Sequence, residues 1–221
     1  MSPNTQESVW IGQACDASCQ CKLESWILLQ LLTSVLSMKI AFIGTHGVGK
    51  TTLAYELCNE LKKQHLDVGF IDEIARRCPF PINEETSLEA QTWILTTTIG
   101  RELELNKIYP NIICDRSVLD NYVYLFHKFG HISELHGLSR YWVRTYDLLF
   151  KVPFTRKYLR PDGVRSVDFE FQETIDRKLE QLLQEDEVPY RNHKVMSDTV
   201  QTILDYHRIH IGPLQRRIPG I

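Results

Sequence analysis

Residues 44–51 read Gly44-Thr45-His46-Gly47-Val48-Gly49-Lys50-Thr51, and this stretch decides the fold. The pattern G-x-x-x-x-G-K-[ST] is complete. At ordinary residue usage a random chain of this length would carry it roughly 1% of the time. The flanks reduce chance further. The apolar run Lys39–Ile43 leads in and reads as a buried strand, and a helical pattern from Lys50 to Gln64 leads out, with Leu53, Leu57 and Leu61 on one face. Gly44, Gly47 and Gly49 let the backbone curl so that successive N–H groups point inward. With the helix N-terminus behind it, that nest suits a β-phosphate, and Thr45, His46, Val48 and Thr52 complete the cradle. Lys50 brings a point charge to the β- and γ-phosphates, and the Thr51 hydroxyl is a hard oxygen suited to Mg²⁺.

Working outward, Val68–Ile71 reads as a second strand, followed by Asp72-Glu73-Ile74-Ala75-Arg76-Arg77. Glu73, at the mouth of that strand, is placed to accept a proton or hold a hydroxyl. A helix is expected from Ser87 to Tyr109, with Thr86 and Glu89 as a capping box and Leu88, Trp93, Ile94 and Ile99 in the core. Asn111–Asp115 is an apolar strand ending in an acid. Asp115 can hold Mg²⁺ through water and also cap the next helix. Helical patterns follow at Val118–Phe129 and Ser139–Thr145, then a fourth strand, Tyr146–Val152. Arg156, Lys157, Arg160 and Arg165 surround Pro161-Asp162-Gly163. Such an arginine-bearing loop suits a lid over phosphates, with Arg160 and Arg165 bracketing the turn. A helix from Asp168 to Gln184 carries Phe171, Ile175, Leu179 and Leu182 as a core stripe. Tyr190–Met196 reads as strand five, and Ser197-Asp198 caps a last helix. Five strands alternating with helices predict an α/β fold with a parallel sheet.

Composition sets the limits. The 221 residues are 43% hydrophobic and 24% charged, a globular balance. The net charge of −3 argues against general nucleic-acid binding. No apolar run reaches the ~18 residues of a membrane span. Cys15, Cys19 and Cys21 crowd the start, while Cys58, Cys78 and Cys114 are scattered, a pattern read as reduced thiols in the cytoplasm. The C-x3-C-x-C run lacks the second pair of a zinc finger. His127, His131 and His136 show no ligand spacing and are expected at the surface. Residues 1–37 have no basic region of a signal peptide. They are expected to be a non-native extension, with Met38 as the natural start and 38–221 as the domain. The alternative is an amphipathic helix, Leu23–Leu36.

The loop Gly44–Thr51, the tetrad Glu73-Ile74-Ala75-Arg76, Gln91 with Trp93, and Asp115-Arg116-Ser117 together resemble the P-loop small-molecule kinases. They are most similar to the AAA-domain family that contains the ribosylnicotinamide kinase domain of NadR. Deoxynucleoside and thymidylate kinases are more distant. The matching elements span residues 38–121, and a looser pattern runs to about 210. The resemblance implies a P-loop NTPase sheet of order 2-3-1-4-5, with ATP and Mg²⁺ as donor and metal. It makes Lys50, Glu73, Asp115 and Arg116 the catalytic set, Thr51 and Asp115 the metal side, and Glu73, Arg76, Gln91 and Arg116 the acceptor side. The implied reaction moves the γ-phosphoryl of ATP to a small nucleoside- or nucleotide-like acceptor. The alternative is a regulatory NTP-binding switch or partner-coupled ATPase, toward which proteins named for a TRP-channel translocation defect lean. No Asn-Lys-x-Asp run is present, which favours ATP over GTP. The second-region arginine motif of ring-forming motor ATPases is not evident either. Nothing in residues 122–160 reads a base, so acceptor identity and oligomeric state stay open.

Overall fold

The computed structural model describes residues 37–82, 85–154 and 169–215, with side chains to residue 207. The first 36 residues, and with them the expectations about the extension, lie outside the described residues. The elements in chain order are β1 (Met38–Ile43), α1 (Lys50–Lys63), β2 (Val68–Ile71), a 3₁₀ turn (Ile74–Arg77), α2 (Leu88–Leu105), β3 (Asn111–Asp115), α3 (Val118–Phe129), α4 (Ser133–Val143), β4 (Leu148–Lys151), α5 (Phe169–Glu185), β5 (Arg191–Asn192) and α6 (Met196–Gln215). No helix among the described residues is long and apolar enough to cross a membrane.

The strands form one parallel sheet of order β2-β3-β1-β4-β5. Its centre is β1, buried along its whole length. A strand covered on both faces needs apolar residues at every position, which explains the unbroken run Ile40-Ala41-Phe42-Ile43. Alternate residues supply two cores. Ala41, Ile43, Ile112 and Leu149 pack against Leu95, Leu119, Tyr122 and Ile175. Ile40, Phe42, Ile113 and Phe150 pack against Ala54, Leu57 and Leu61 of α1 and Ile203 of α6. The register Phe42↔Asp115 brings the ends of β1 and β3 together, at the carboxyl edge where such sheets bind ligands.

The opposite edge holds a buried polar network. Lys39 Nζ donates to Glu102 Oε2 at 2.7 Å, and Trp142 Nε1 donates to the same oxygen at 2.7 Å. The Tyr146 hydroxyl donates to Glu102 Oε1, and Lys39 also donates to Thr145 Oγ1. The Lys39 ammonium lies 4.3 Å from the Tyr146 ring centre. Glu102 is wholly inaccessible, so these donors together stand in for its lost hydration.

Several local expectations are corrected. The N-cap of α2 is Ser87, whose side chain accepts from Ala90 N at 3.2 Å, because Thr86 Oγ1 instead accepts from Gln91 Nε2 at 2.8 Å. Leu88, in the first helical turn, is exposed. Helix α4 starts at Ser133, before the expected Ser139. Strand β5 shrinks to two residues, since β4 ends at Lys151 and His193 N already closes on its carbonyl. The last helix starts at Met196, so Ser197 and Asp198 stand inside its first turn rather than capping it. His131 is exposed, as expected, and His136 is half-buried. His131 Nε2 meets His136 Nδ1 at 2.9 Å, and His136 Nε2 meets Asp186 Oδ2 at 2.9 Å. This is a chain rather than a convergent cluster, and no metal-holding group occurs among the described residues.

Candidate functional site

The turn between β1 and α1 depends on glycine. Gly44 has φ +139, and a Cβ there would lie 2.9 Å from Val152 O, so a side chain would be both strained and crowded. Gly49, at φ 94, caps α1. Lys50 folds over the turn, donating to Gly44 O at 2.7 Å and Thr45 O at 2.6 Å. Burial, with Arg116 second, pushes the Lys50 pKa down to about 7, against the pull of Asp120, Asp115 and Glu73. Thr51 Oγ1 donates to Asp115 Oδ2 at 2.5 Å. Two hard oxygens side by side fit Mg²⁺, which Thr51 and Asp115 would hold. Val48 packs its side chain into the core, and Thr52 is exposed.

The head of α3 supplies the second wall. Ser117 is the N-cap in a reciprocal box with Asp120, whose Oδ2 accepts from Ser117 N at 2.9 Å and Ser117 Oγ at 2.7 Å. Asp120 Oδ1 accepts from Gly44 N at 2.8 Å, tying α3 to the phosphate turn. Burial raises the Asp120 pKa, while Lys50 and Arg116 oppose that rise. Sequence reasoning missed this tie, although Ser117-x-x-Asp120 is itself a capping signature.

Arg116 sits at φ 109, a region that disfavours side chains. Its Nε and Nη2 donate to Glu73 Oε1 at 2.9 and 2.8 Å, and Arg76 Nε donates to Glu73 Oε2 at 3.1 Å. Burial opposes the Arg116 charge, but Glu73, with Tyr124, Asp120 and Asp115, more than offsets it and holds the guanidinium above its ordinary range. The Arg116 side chain also covers the Tyr124 ring at 5.4 Å. Its Nη1 is buried and has no partner among the described residues. Across the turn, His46 N donates to the Tyr124 hydroxyl at 3.2 Å, and His46 Nδ1 lies 3.0 Å from the same oxygen.

The structure therefore gathers Lys50, Thr51, Asp115, Arg116, Glu73 and Arg76 at one edge of the sheet. Gln91 is buried and its amide is taken by Thr86. Arg160 and Arg165 lie outside the described residues.

A phosphate turn between β1 and α1, an acid at the end of the neighbouring β3, and the strand order together define a P-loop NTPase fold, a nucleotide-binding class. A family model described as an AAA domain matches residues 39–202, and the chain belongs to that family. Solved structures agree on the fold. NadR in complex with NR is 19% identical with a TM-score of 0.62, over 86% of this chain and 56% of that one. Thymidylate kinase from Ehrlichia chaffeensis (16%, 0.53) and deoxyadenosine kinase from M. mycoides with bound dATP (17%, 0.53) are each matched over 76% of this chain and 98% of theirs. The chain thus spans little more than half the length of NadR. Comparison with curated protein sequences gives no match.

Proposed function

We propose that this protein binds ATP with Mg²⁺ and transfers the γ-phosphoryl group to a small nucleoside- or nucleotide-like acceptor. The observation that carries the reading is the buried Glu73–Arg116 pair beside the phosphate turn. A carboxylate and a guanidinium paired there suit an acceptor hydroxyl and the charge on a moving phosphoryl group.

The roles follow from position. The turn N–H groups and Lys50 hold the donor phosphates. A magnesium ion, held by Thr51 and Asp115, would offset charge on the β- and γ-phosphates. Arg116 directs its spare Nη1 at the transferring group, and Glu73 aims Arg116 and receives the acceptor hydroxyl. As the acceptor oxygen bonds to the γ-phosphorus, the bond from that phosphorus to ADP breaks, and the hydroxyl proton passes to Glu73. Arg76 and Gln91 bound the acceptor side, and Arg160 and Arg165 are the expected lid contacts. Cys58, Cys78 and Cys114 are free, in keeping with a cytoplasmic setting.

The test is a panel of nucleosides and nucleotides with ATP and Mg²⁺, read by mass spectrometry. One acceptor should gain a phosphoryl group and accelerate ATP use. Absence of any acceptor-dependent product, with hydrolysis that responds to a protein partner, would favour the regulatory NTPase instead.

A further inference from the structure

Helix α5 presents Gln172, Asp176 and Glu180 four residues apart, and so on one face. Asp176 Oδ2 and Glu180 Oε1 both accept from Lys151 Nζ, at 3.0 and 2.8 Å. Lys151 closes β4 and pairs in register with Ile43, the residue before the phosphate turn. Asp176 therefore stands beside the root of that turn. Because β4 and β5 are parallel, the helix joining them runs back against β4. One turn toward its N-terminus, about 5.4 Å, carries the stripe past the carboxyl edge of the sheet. That places Gln172 toward the height of the phosphate turn, and its neighbour Phe171 meets the turn directly, with its ring 5.6 Å from that of His46.

Gln172 is 1% exposed, yet its Nε2 has no partner among the described residues. An unmet buried donor is destabilising, so its retention calls for an acceptor. Arg116 Nη1 is in the same condition. Arg116 follows β3 and Gln172 lies on the helix after β4, the two strands that flank β1. A terminal phosphate, with several non-bridging oxygens, can accept from both.

We propose that Gln172 is a further phosphate-contacting residue, its carboxamide N–H donating to a non-bridging oxygen of the terminal phosphate of a bound nucleoside triphosphate. The inference rests on the nucleotide-binding reading and deepens it. A neutral donor adds no charge, so its effect is moderate and falls on the terminal phosphate alone.

The experiment measures equilibrium binding of ADP and of a non-hydrolysable ATP analogue to the full chain, with Gln172→Leu, Gln172→Glu and Lys50→Ala compared. In Gln172→Leu, affinity for the ATP analogue should fall about 3- to 10-fold while ADP affinity holds, the scale of one hydrogen bond. Gln172→Glu should lose more, because a carboxylate opposes the phosphate. Thermal melting of Gln172→Leu should be unchanged or higher, since an unmet amide is removed. Equal changes for the two ligands, or no change in either Gln172 variant while Lys50→Ala weakens both, would overturn the proposal and leave nucleotide binding standing. No nucleotide binding by the unaltered chain would overturn both.

Discussion

Two buried ion pairs sit at opposite edges of the same sheet. At one edge, Lys39 and Glu102 are fully served, with Trp142, Tyr146 and Thr145 completing the hydrogen bonds. At the other, Arg116 and Glu73 are also buried, but the guanidinium keeps an unmet N–H, its backbone is strained, and the nearby Lys50 is pushed toward neutrality. The chemistry is the same and the completion differs. A saturated polar network fixes one arrangement of the core. An unsaturated one holds binding capacity in reserve, which is where local rules are expected to be broken for function.

Glu102→Ala puts the largest load on this contrast. It leaves Lys39 buried and unpaired, so stability should fall by about 3–5 kcal/mol, read from denaturant unfolding. Turnover per folded molecule should hold. A loss under about 1 kcal/mol would break the comparison. Lys50→Ala should instead cut ATP turnover by roughly 10²–10³-fold, the scale of losing one transition-state donor. Arg116→Lys keeps the charge but loses the two-pronged grip on Glu73. A fall in kcat/KM of about 10- to 100-fold is expected, with little change in melting.

The pH dependence sharpens the contrast further. The folded-state pKa of Lys50 is lowered to about 7 from 10.5, so between those values the unfolded chain binds the extra proton. Its contribution therefore makes the nucleotide-free protein more stable as pH rises through that window, and less stable toward pH 7. Lys50→Met should flatten the slope and raise stability near pH 7 by about 1–2 kcal/mol. A slope identical in both proteins would show that Lys50 is not strained by its burial.

The fold is legible in the sequence wherever the signal is local. The phosphate turn, the apolar run of β1 and the acid ending β3 each declare themselves within a few residues. Relations set by packing do not. Glu73 and Arg116 are 43 residues apart, and no periodicity pairs them. The cap formed by Ser117 and Asp120 is readable, but the second oxygen of Asp120 reaches Gly44 only because β1 and β3 are neighbours. At the head of α2, two adjacent hydroxyls compete, and a third party, Gln91, decides which one caps. The short β5 is likewise set by the length of its partner strand rather than by its own residues.

The conformation of Arg116 carries a consequence for anyone substituting it. Its φ of 109 belongs to glycine, so alanine there inherits the discomfort of the backbone while losing the guanidinium. Glycine would shed both. Arg116→Gly should therefore fold better than Arg116→Ala, by up to about 1 kcal/mol, with both equally inactive. In that sense position 116 works like a set spring, its direction fixed by the chain before any ligand arrives.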